Sequence, residues 1–205
     1  MNQPMKRRNL TFEAVLKLLR SRSFGVLGTA DAEGRPHSVG VEYAVSLSGL
    51  YLYVMTRRHL KKSRNVAANR NVSFVVPLTR RLLWFVPPPC IQFHGTAEIL
   101  ESSDIDAIES FKAFLTGRAI LRMYEGFERR GETRVCFLRI APGPVISTYA
   151  VGHSVWSLIT RMEAGIETVE VQGILKASLG NNCAEFKMKG ISDATSVKAN
   201  AGGHR

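Results

Sequence analysis

Six basic or imidazole side chains stand within eight residues, at Arg57, Arg58, His59, Lys61, Lys62 and Arg64. They follow Thr56 and an apolar run from Leu50 to Met55. Arginine grips phosphate oxygens through two parallel hydrogen bonds, and lysine adds a mobile point charge. A strand that ends in a threonine and a fork of cations is therefore a receptor for a phosphate. Backbone amides at the start of a following helix would add to the attraction. Read as a charge run alone, the same residues are a solvated helix start. Read as a nucleic-acid contact, they lack the interleaved aromatic platform on which bases stack. No Ser/His/Asp or Cys/His nucleophile set is discernible, and the carboxylates show no pairing that suggests hydrolysis.

The elements that must hold this cluster follow from periodicity. Thr11 is placed to cap a helix whose Phe12, Val15, Leu16 and Leu19 share one face, ending near Arg22. Phe24 to Thr29 reads as a strand, and Asp31 to Gly34 as a turn. Arg35-Pro36 restarts extended chain, because proline disfavours a helix and pushes its predecessor towards β. His37 to Val45 and Leu50 to Met55 complete an antiparallel meander. Leu60 to Asn69 is expected as a short helix, Asn71 to Leu78 as a strand, and Thr79 to Pro89 as a loop. Cys90 to Leu100 alternates as a strand with Gly95 at a bulge or close approach. Ser102 to Asp106 opens a helix with Ile105, Ile108, Phe111 and Leu115 on one face, and a further turn or two spans Arg118 to Phe127. Arg134 to Ile140 is a sixth strand, which Pro142-Gly143-Pro144 is expected to break before Val145 to Tyr149. Ser154 to Met162 is a candidate helix, Glu167 to Val171 has no clear partner, and the polar chain from Gly180 onward reads as disordered. Short antiparallel strands with peripheral helices point to a mainly β fold, a small closed or partly closed barrel, since closure removes sheet edges.

Composition sets the outer bounds. At 205 residues, with 45% hydrophobic and 22% charged side chains, the chain has the makings of one globular domain with a tail. The net charge of +11 favours anionic partners. Cys90, Cys136 and Cys183 are scattered, without zinc spacing, as in a reducing compartment. No apolar segment approaches the ~20 residues that span a bilayer, so a cytoplasmic protein without membrane attachment is expected.

Three segments together resemble the FMN-binding split barrel of the pyridoxamine 5′-phosphate oxidase-like superfamily. Phe24 to Asp31 followed by Gly34-Arg35-Pro36-His37 is similar to that family's opening strand and turn. Tyr53-Val54-Met55-Thr56, Lys61 to Asn65 and Asn69 to Ser73 resemble its strand, threonine, basic pair and helix, with Arg70 where proline often stands. Phe93 to Leu100 looks like its glycine-containing strand. The resemblance implies a six-stranded antiparallel split barrel over 23–150, an N-terminal helix over 1–22 and a C-terminal extension over 151–179, with 180–205 a disordered tail. It implies a homodimer with a flavin at the subunit interface and a small-molecule substrate that exchanges hydride with it.

Carried over residue by residue, the phosphate contacts fall on Thr56, Lys61 and Lys62. Ser38, Val39, Gly40 and Val41 lie along the isoalloxazine ring, and Met55, Arg57 and Cys90 complete the cofactor set. Val39 stands where the oxidases have an arginine for the phosphate, Leu60 where they have a serine, and Cys90 where they have a glutamine. With no counterpart after Ile140 to their substrate-phosphate segment, these departures argue against pyridoxamine-phosphate oxidation itself. The expected cofactor is FMN. The alternative is a 5-deazaflavin, whose longer anionic tail would suit Arg57, Arg58 and Arg64. A haem-binding or non-catalytic relative and a nucleic-acid module are the remaining readings. His37, His94 and His153 are the candidate axial ligands, and Trp156 and Leu82 to Val86 are candidate covers.

Overall fold

Alternation of apolar and polar residues builds most of the sheet. In a computed structural model that describes residues 10–78, 88–151 and 165–171, β1 (Phe24–Ala30) directs Gly25, Leu27 and Thr29 inward. Strands β2 (Pro36–Glu42), β3 (Ala44–Val45), β4 (Leu52–Arg57), β5 (Asn71–Pro77), β6 (Cys90–Glu101), β7 (Val135–Tyr149) and β8 (Ile166–Glu170) join it in one antiparallel sheet. The order is β2-β1-β5-β6-β7-β4-β3, with β8 paired to β7. The two end strands, β2 and β3, are consecutive in the chain and separated by Tyr43 alone. That single-residue link forces the sheet to curl back on itself as a half-barrel, the split-barrel architecture expected.

Among the described residues four helices accompany the sheet: α1 (Phe12–Arg20), α2 (Lys61–Ala68), α3 (Ile105–Lys112) and α4 (Leu115–Arg129). Thr11 Oγ1 caps α1 by accepting from the Ala14 amide, and α1 buries Val15 and Leu19. Tyr43, fully buried, donates to the Leu19 carbonyl at 2.9 Å and meets Phe74 edge-on. Inside the curl, Phe74 stacks on Phe93, with Leu27, Ile91 and Ile146 fully buried around them. A second cluster lies under α3 and α4, where Ala107, Phe111 and Leu121 meet Tyr53 and Phe137. Consequently β4 and the start of β7 are buried on both faces, whereas β1, β2, β5 and β6 carry an uncovered outer face.

The structure departs from the pattern reading in four places. The expected strand His37–Val45 breaks at Tyr43 into β2 and β3, which with β8 makes eight strands among the described residues in place of six, and β2 and β4 are not hydrogen-bonded neighbours. Pro142-Gly143-Pro144 does not end β7. Phe93 pairs with Ile146 and Gly95 with Pro142, so three residues of β7 face His94 alone, and this bulge removes Pro144 from the ladder. Ile105 and Leu115 are 77% and 78% exposed: Ile105 opens α3 on the side away from Ala107, Ser110 and Phe111, and Leu115 opens a separate 15-residue helix after α3 stops at Lys112. Glu167–Val171 does have a partner, since β8 pairs with β7 from Val145 to Tyr149. The segments Leu82–Val86, Ser154–Met162, His153, Trp156 and the tail from 180 lie outside the described residues.

Candidate functional site

The basic run begins where β4 hands over to α2, and its cations do not share one fate. Strand alternation points Thr56 to the inner face, and Met55 and Arg57 to the face that α4 covers. The Arg57 guanidinium lies over Phe127, 5.4 Å from the ring centre, and stands 3.9 Å from the Glu132 carboxylate. Arg58 pairs with Glu101 at 2.6 Å. Lys61, Lys62 and Arg64, by contrast, have no carboxylate within ion-pair distance among the described residues.

The junction itself is tightly tied. The Arg57 carbonyl accepts from the Leu60 amide and from Ser63 Oγ, and the Ser63 and Arg64 amides return to the Leu60 carbonyl. On the inner side Asn65 donates to Thr29 Oγ1, which donates to the His37 carbonyl, so α2 is pinned to β1 and β2. Yet the N-terminus of α2 is electrostatically incomplete. Leu60 occupies the N-cap without a side-chain hydrogen bond, no acidic residue stands in the first turn, and two lysines do. Cations at the positive end of a helix dipole cost roughly 0.3–1 kcal/mol each. Burial pushes the Lys62 ammonium below the ordinary lysine range, and the neighbouring Arg57 pushes the same way. Thr56 Oγ1, on β4 four residues before the Leu60 cap, is buried with no hydrogen-bond partner. A buried hydroxyl left unpaired costs about 1–3 kcal/mol.

Ser38 to Val41 form the edge strand β2, in which Ser38 and Gly40 face outward while Val39 and Val41 face inward. The Phe24 ring stands only 3.0–3.1 Å from where a Gly40 Cβ would be, and Ser73 Oγ 2.2 Å from that of Gly28. Both glycines thus lie against a side chain of their own chain, Phe24 and Ser73, that would have to shift for a larger residue. Cys90 begins β6 opposite Pro77 and Tyr149, half-buried, with its thiol pushed up by that burial.

A hollow of about 740 Å³ lies elsewhere, on the outer face of β5, β6 and β7. Asn71, Ser73, Gln92, His94, Thr96 and Ser147 supply its hydrogen-bonding groups, and it shares no residue with the ten expected cofactor contacts. Its size suits a small molecule. The β7 bulge shapes it, with the Ala141 carbonyl 2.2 Å from where a Gly95 Cβ would be. Pattern reading did not single these residues out as a group. Alternation in 71–75 and 90–94 places them on one face, but polar residues on the outer face of a strand look the same whether or not a ligand meets them. His94 is exposed at this hollow, whereas His37 is half-buried with Nδ1 unpartnered. Among the described residues no cluster of three His, Cys, Asp or Glu could hold a metal, and no helix is long and apolar enough to cross a membrane.

Comparison with solved structures gives the heme storage protein HutZ from Vibrio cholerae, at 18% identity and a TM-score of 0.52, over 66% of this chain and 93% of that one. A heme-binding protein from Mycobacterium smegmatis is 15% identical with a TM-score of 0.53, and this chain, matched over 73% of its length, spans about half, 53%, of that protein. An FAD-binding protein from Mesorhizobium loti is 22% identical, over 69% of this chain and 93% of that one, with a TM-score of 0.45. At these identities the likeness to the two heme proteins is one of fold. No curated protein matches. A family model described as pyridoxamine 5′-phosphate oxidase matches residues 11–145, from the cap of α1 into the bulge of β7, and the chain belongs to that family.

Proposed function

We propose that this protein is an FMN-dependent oxidoreductase that seats the cofactor phosphate at the start of α2 and works as a homodimer. The observation that carries the reading is the uncapped, doubly cationic first turn of α2 beside the unpartnered hydroxyl of Thr56. Each of those deficits disappears when a phosphate oxygen arrives, so the residues present fit the group. Lys61 and Lys62 would hold the phosphate, the first-turn amides would donate to it, and Thr56 would turn its hydroxyl towards it. FMN supplies two-electron hydride chemistry when bound, and the protein contributes orientation and electrostatics. Ser38 and Gly40 on the open edge of β2 offer backbone groups to a planar ring. The outer hollow of β5–β7 offers a second wall, and a partner copy bringing that wall to β2 would complete the site.

Arg57 and Arg58 are tied to Glu132 and Glu101, which removes two of the three cations that would suit the longer tail of a deazaflavin. A second reading is non-catalytic haem binding, favoured by the two heme proteins among the structural neighbours. His94 at the hollow would then be the available axial ligand.

Titration of the purified protein with FMN, riboflavin and hemin separates these. The flavoenzyme reading expects FMN to bind, riboflavin to bind far more weakly, and NADH or NADPH to reduce the bound flavin. Loss of a charge-assisted hydrogen bond, about 1.5–3 kcal/mol, predicts that Lys61→Ala with Lys62→Ala weakens FMN binding by at least roughly 10–150-fold. Equal affinity of the double variant for FMN would sink the phosphate assignment. Hemin binding without flavin binding would favour the second reading.

A further inference from the structure

Helix α4 carries an outward face that no part of the flavin reading uses. Its inner side buries Gly117 and Leu121 and half-buries Tyr124 against the sheet. On the opposite side Leu115 is 78% exposed, Met123 is 49% exposed, and Ala119 between them is exposed as well. These three recur every fourth residue, so they form one stripe about 12 Å long. Beside the stripe, at positions three and seven residues after Leu115, stand Arg118 and Arg122, both exposed and without an ion-pair partner among the described residues. Arg129 continues the row one further heptad on, with only Glu125 beside it at 3.5 Å. The helix begins at Phe114 without a side-chain cap or an acidic residue in its first turn, which leaves its positive end next to Leu115.

An apolar stripe flanked by arginines on a helix lying along the surface is the pattern of a segment that rests in a lipid–water interface. We propose that the outward face of α4 docks this protein peripherally on a bilayer rich in anionic phospholipid, with Leu115 and Met123 entering the headgroup boundary and Arg118 and Arg122 meeting lipid phosphates. Charge complementarity selects this occupant. A second copy presenting the same face would set arginine against arginine. A nucleic acid would satisfy the arginines but leave Leu115 and Met123 against phosphates and water. The net charge of +11 adds a long-range attraction of the same sign.

Sedimentation of the full chain with phosphatidylcholine vesicles, and with vesicles in which part of that lipid is phosphatidylglycerol, tests the proposal. Binding is expected only to the anionic vesicles and should weaken with salt. Each basic residue near such a surface contributes about fivefold in partitioning, so Arg118→Glu with Arg122→Glu should weaken binding at least ~25-fold. Lys17→Glu with Arg22→Glu makes the same change in net charge at exposed sites on and just after α1, off the α4 face, and should leave most of the binding. Met123→Trp should show a blue-shifted emission increment on anionic vesicles, beyond that of the unsubstituted protein. Circular dichroism establishes that each variant is folded. Failure to bind anionic vesicles overturns the proposal, as does an equal loss in the Lys17/Arg22 pair, which would reduce the effect to net charge. An unshifted emission increment from the bound Met123→Trp variant overturns the placement of α4 in the interface.

Discussion

Replacing Thr56 with valine should make the ligand-free protein more stable and the FMN-binding protein worse. The two side chains have nearly the same shape and the same preference for strands, so Thr56→Val exchanges a hydroxyl for a methyl and little else. That hydroxyl is fully buried on the inner face of β4 and has no hydrogen-bond partner. An unpaired buried hydroxyl costs about 1–3 kcal/mol, and removing it returns that amount. The folded-to-unfolded ratio should rise by a factor of roughly 5–150. The measurement is urea unfolding by circular dichroism in phosphate-free buffer at one fixed protein concentration, because bound anions and subunit association both shift apparent stability. A higher midpoint with an unchanged slope is the expected signature. Titration with FMN and with riboflavin supplies the second half. If the hydroxyl donates to a phosphate, Thr56→Val should weaken FMN by about 10–150-fold, the value of a hydrogen bond to a charged group, and leave riboflavin unaffected. A lower midpoint would show that Thr56 already has a partner in the fold. Unchanged affinity for both ligands would show that the hydroxyl does not face the phosphate, and the reasoning about α2 would lose its orphan.

Three further outcomes follow from contacts that hold the site in place. Tyr53, almost fully buried, donates to Asp106 at 2.6 Å, and Ser46 donates to the same oxygen at 2.8 Å, which fastens α3 to the β3–β4 hairpin; Tyr53→Phe should destabilise by about 1.5–3 kcal/mol in urea unfolding. Gly95→Ala would drive a Cβ into the Ala141 carbonyl, a backbone atom that cannot swing aside, and should cost about 1–3 kcal/mol or more and distort the hollow. Glu132 accepts from the Arg134 side chain at 2.7 and 2.9 Å and from its amide at 3.0 Å, and this holds its carboxyl down to about 2 from an ordinary 4.5. A depressed carboxyl stabilises the fold above pH 4.5 and loses that contribution as pH falls towards 2, so the melting temperature should drop less steeply through this window in Glu132→Gln than in the parent. Parallel curves for the two proteins would mean that the contact contributes nothing.

Much of the sheet was legible because its strands obey a period of two. Val72, Phe74 and Val76 bury in alternation with Ser73 and Val75, and Thr11 caps its helix as its residue type requires. What was not legible depends on tertiary partners. Tyr43 looks like one more strand residue, yet it is the link through which the sheet's two ends meet, with its hydroxyl reserved for the end of α1. The prolines of β7 read as a break because a ladder cannot tolerate them. Only the pairing of Phe93 and Gly95 shows that a bulge has taken Pro144 out of the ladder. Ile105 and Leu115 match a helical stripe on paper, but Ile105 lies on the side of α3 away from the buried Ala107, Ser110 and Phe111, and Leu115 opens a second helix after α3 has ended.

The basic run shows most clearly why a cluster in sequence is not a cluster in space. Its residues cross from a period of two to a period of 3.6, and the crossing sorts them. On the strand side, Thr56 and its neighbour Arg57 must face opposite ways, and the outward one finds Phe127 and Glu132 waiting on and after α4. Arg58 finds Glu101 at the end of β6. Both arginines thereby become part of how α4 and β6 are held. On the helix side no acid approaches Lys61 or Lys62, although Glu98, Glu101 and Glu132 all lie among nearby elements and all are committed to arginines. Glu98 alone accepts from both Arg70 and Arg139. Glu132 is held by the fork of Arg134, Glu98 by Arg70 and Arg139, and Glu101 by Arg58. With those carboxylates paired to arginines and none paired to Lys61 or Lys62 among the described residues, the two lysines are left for a mobile anion.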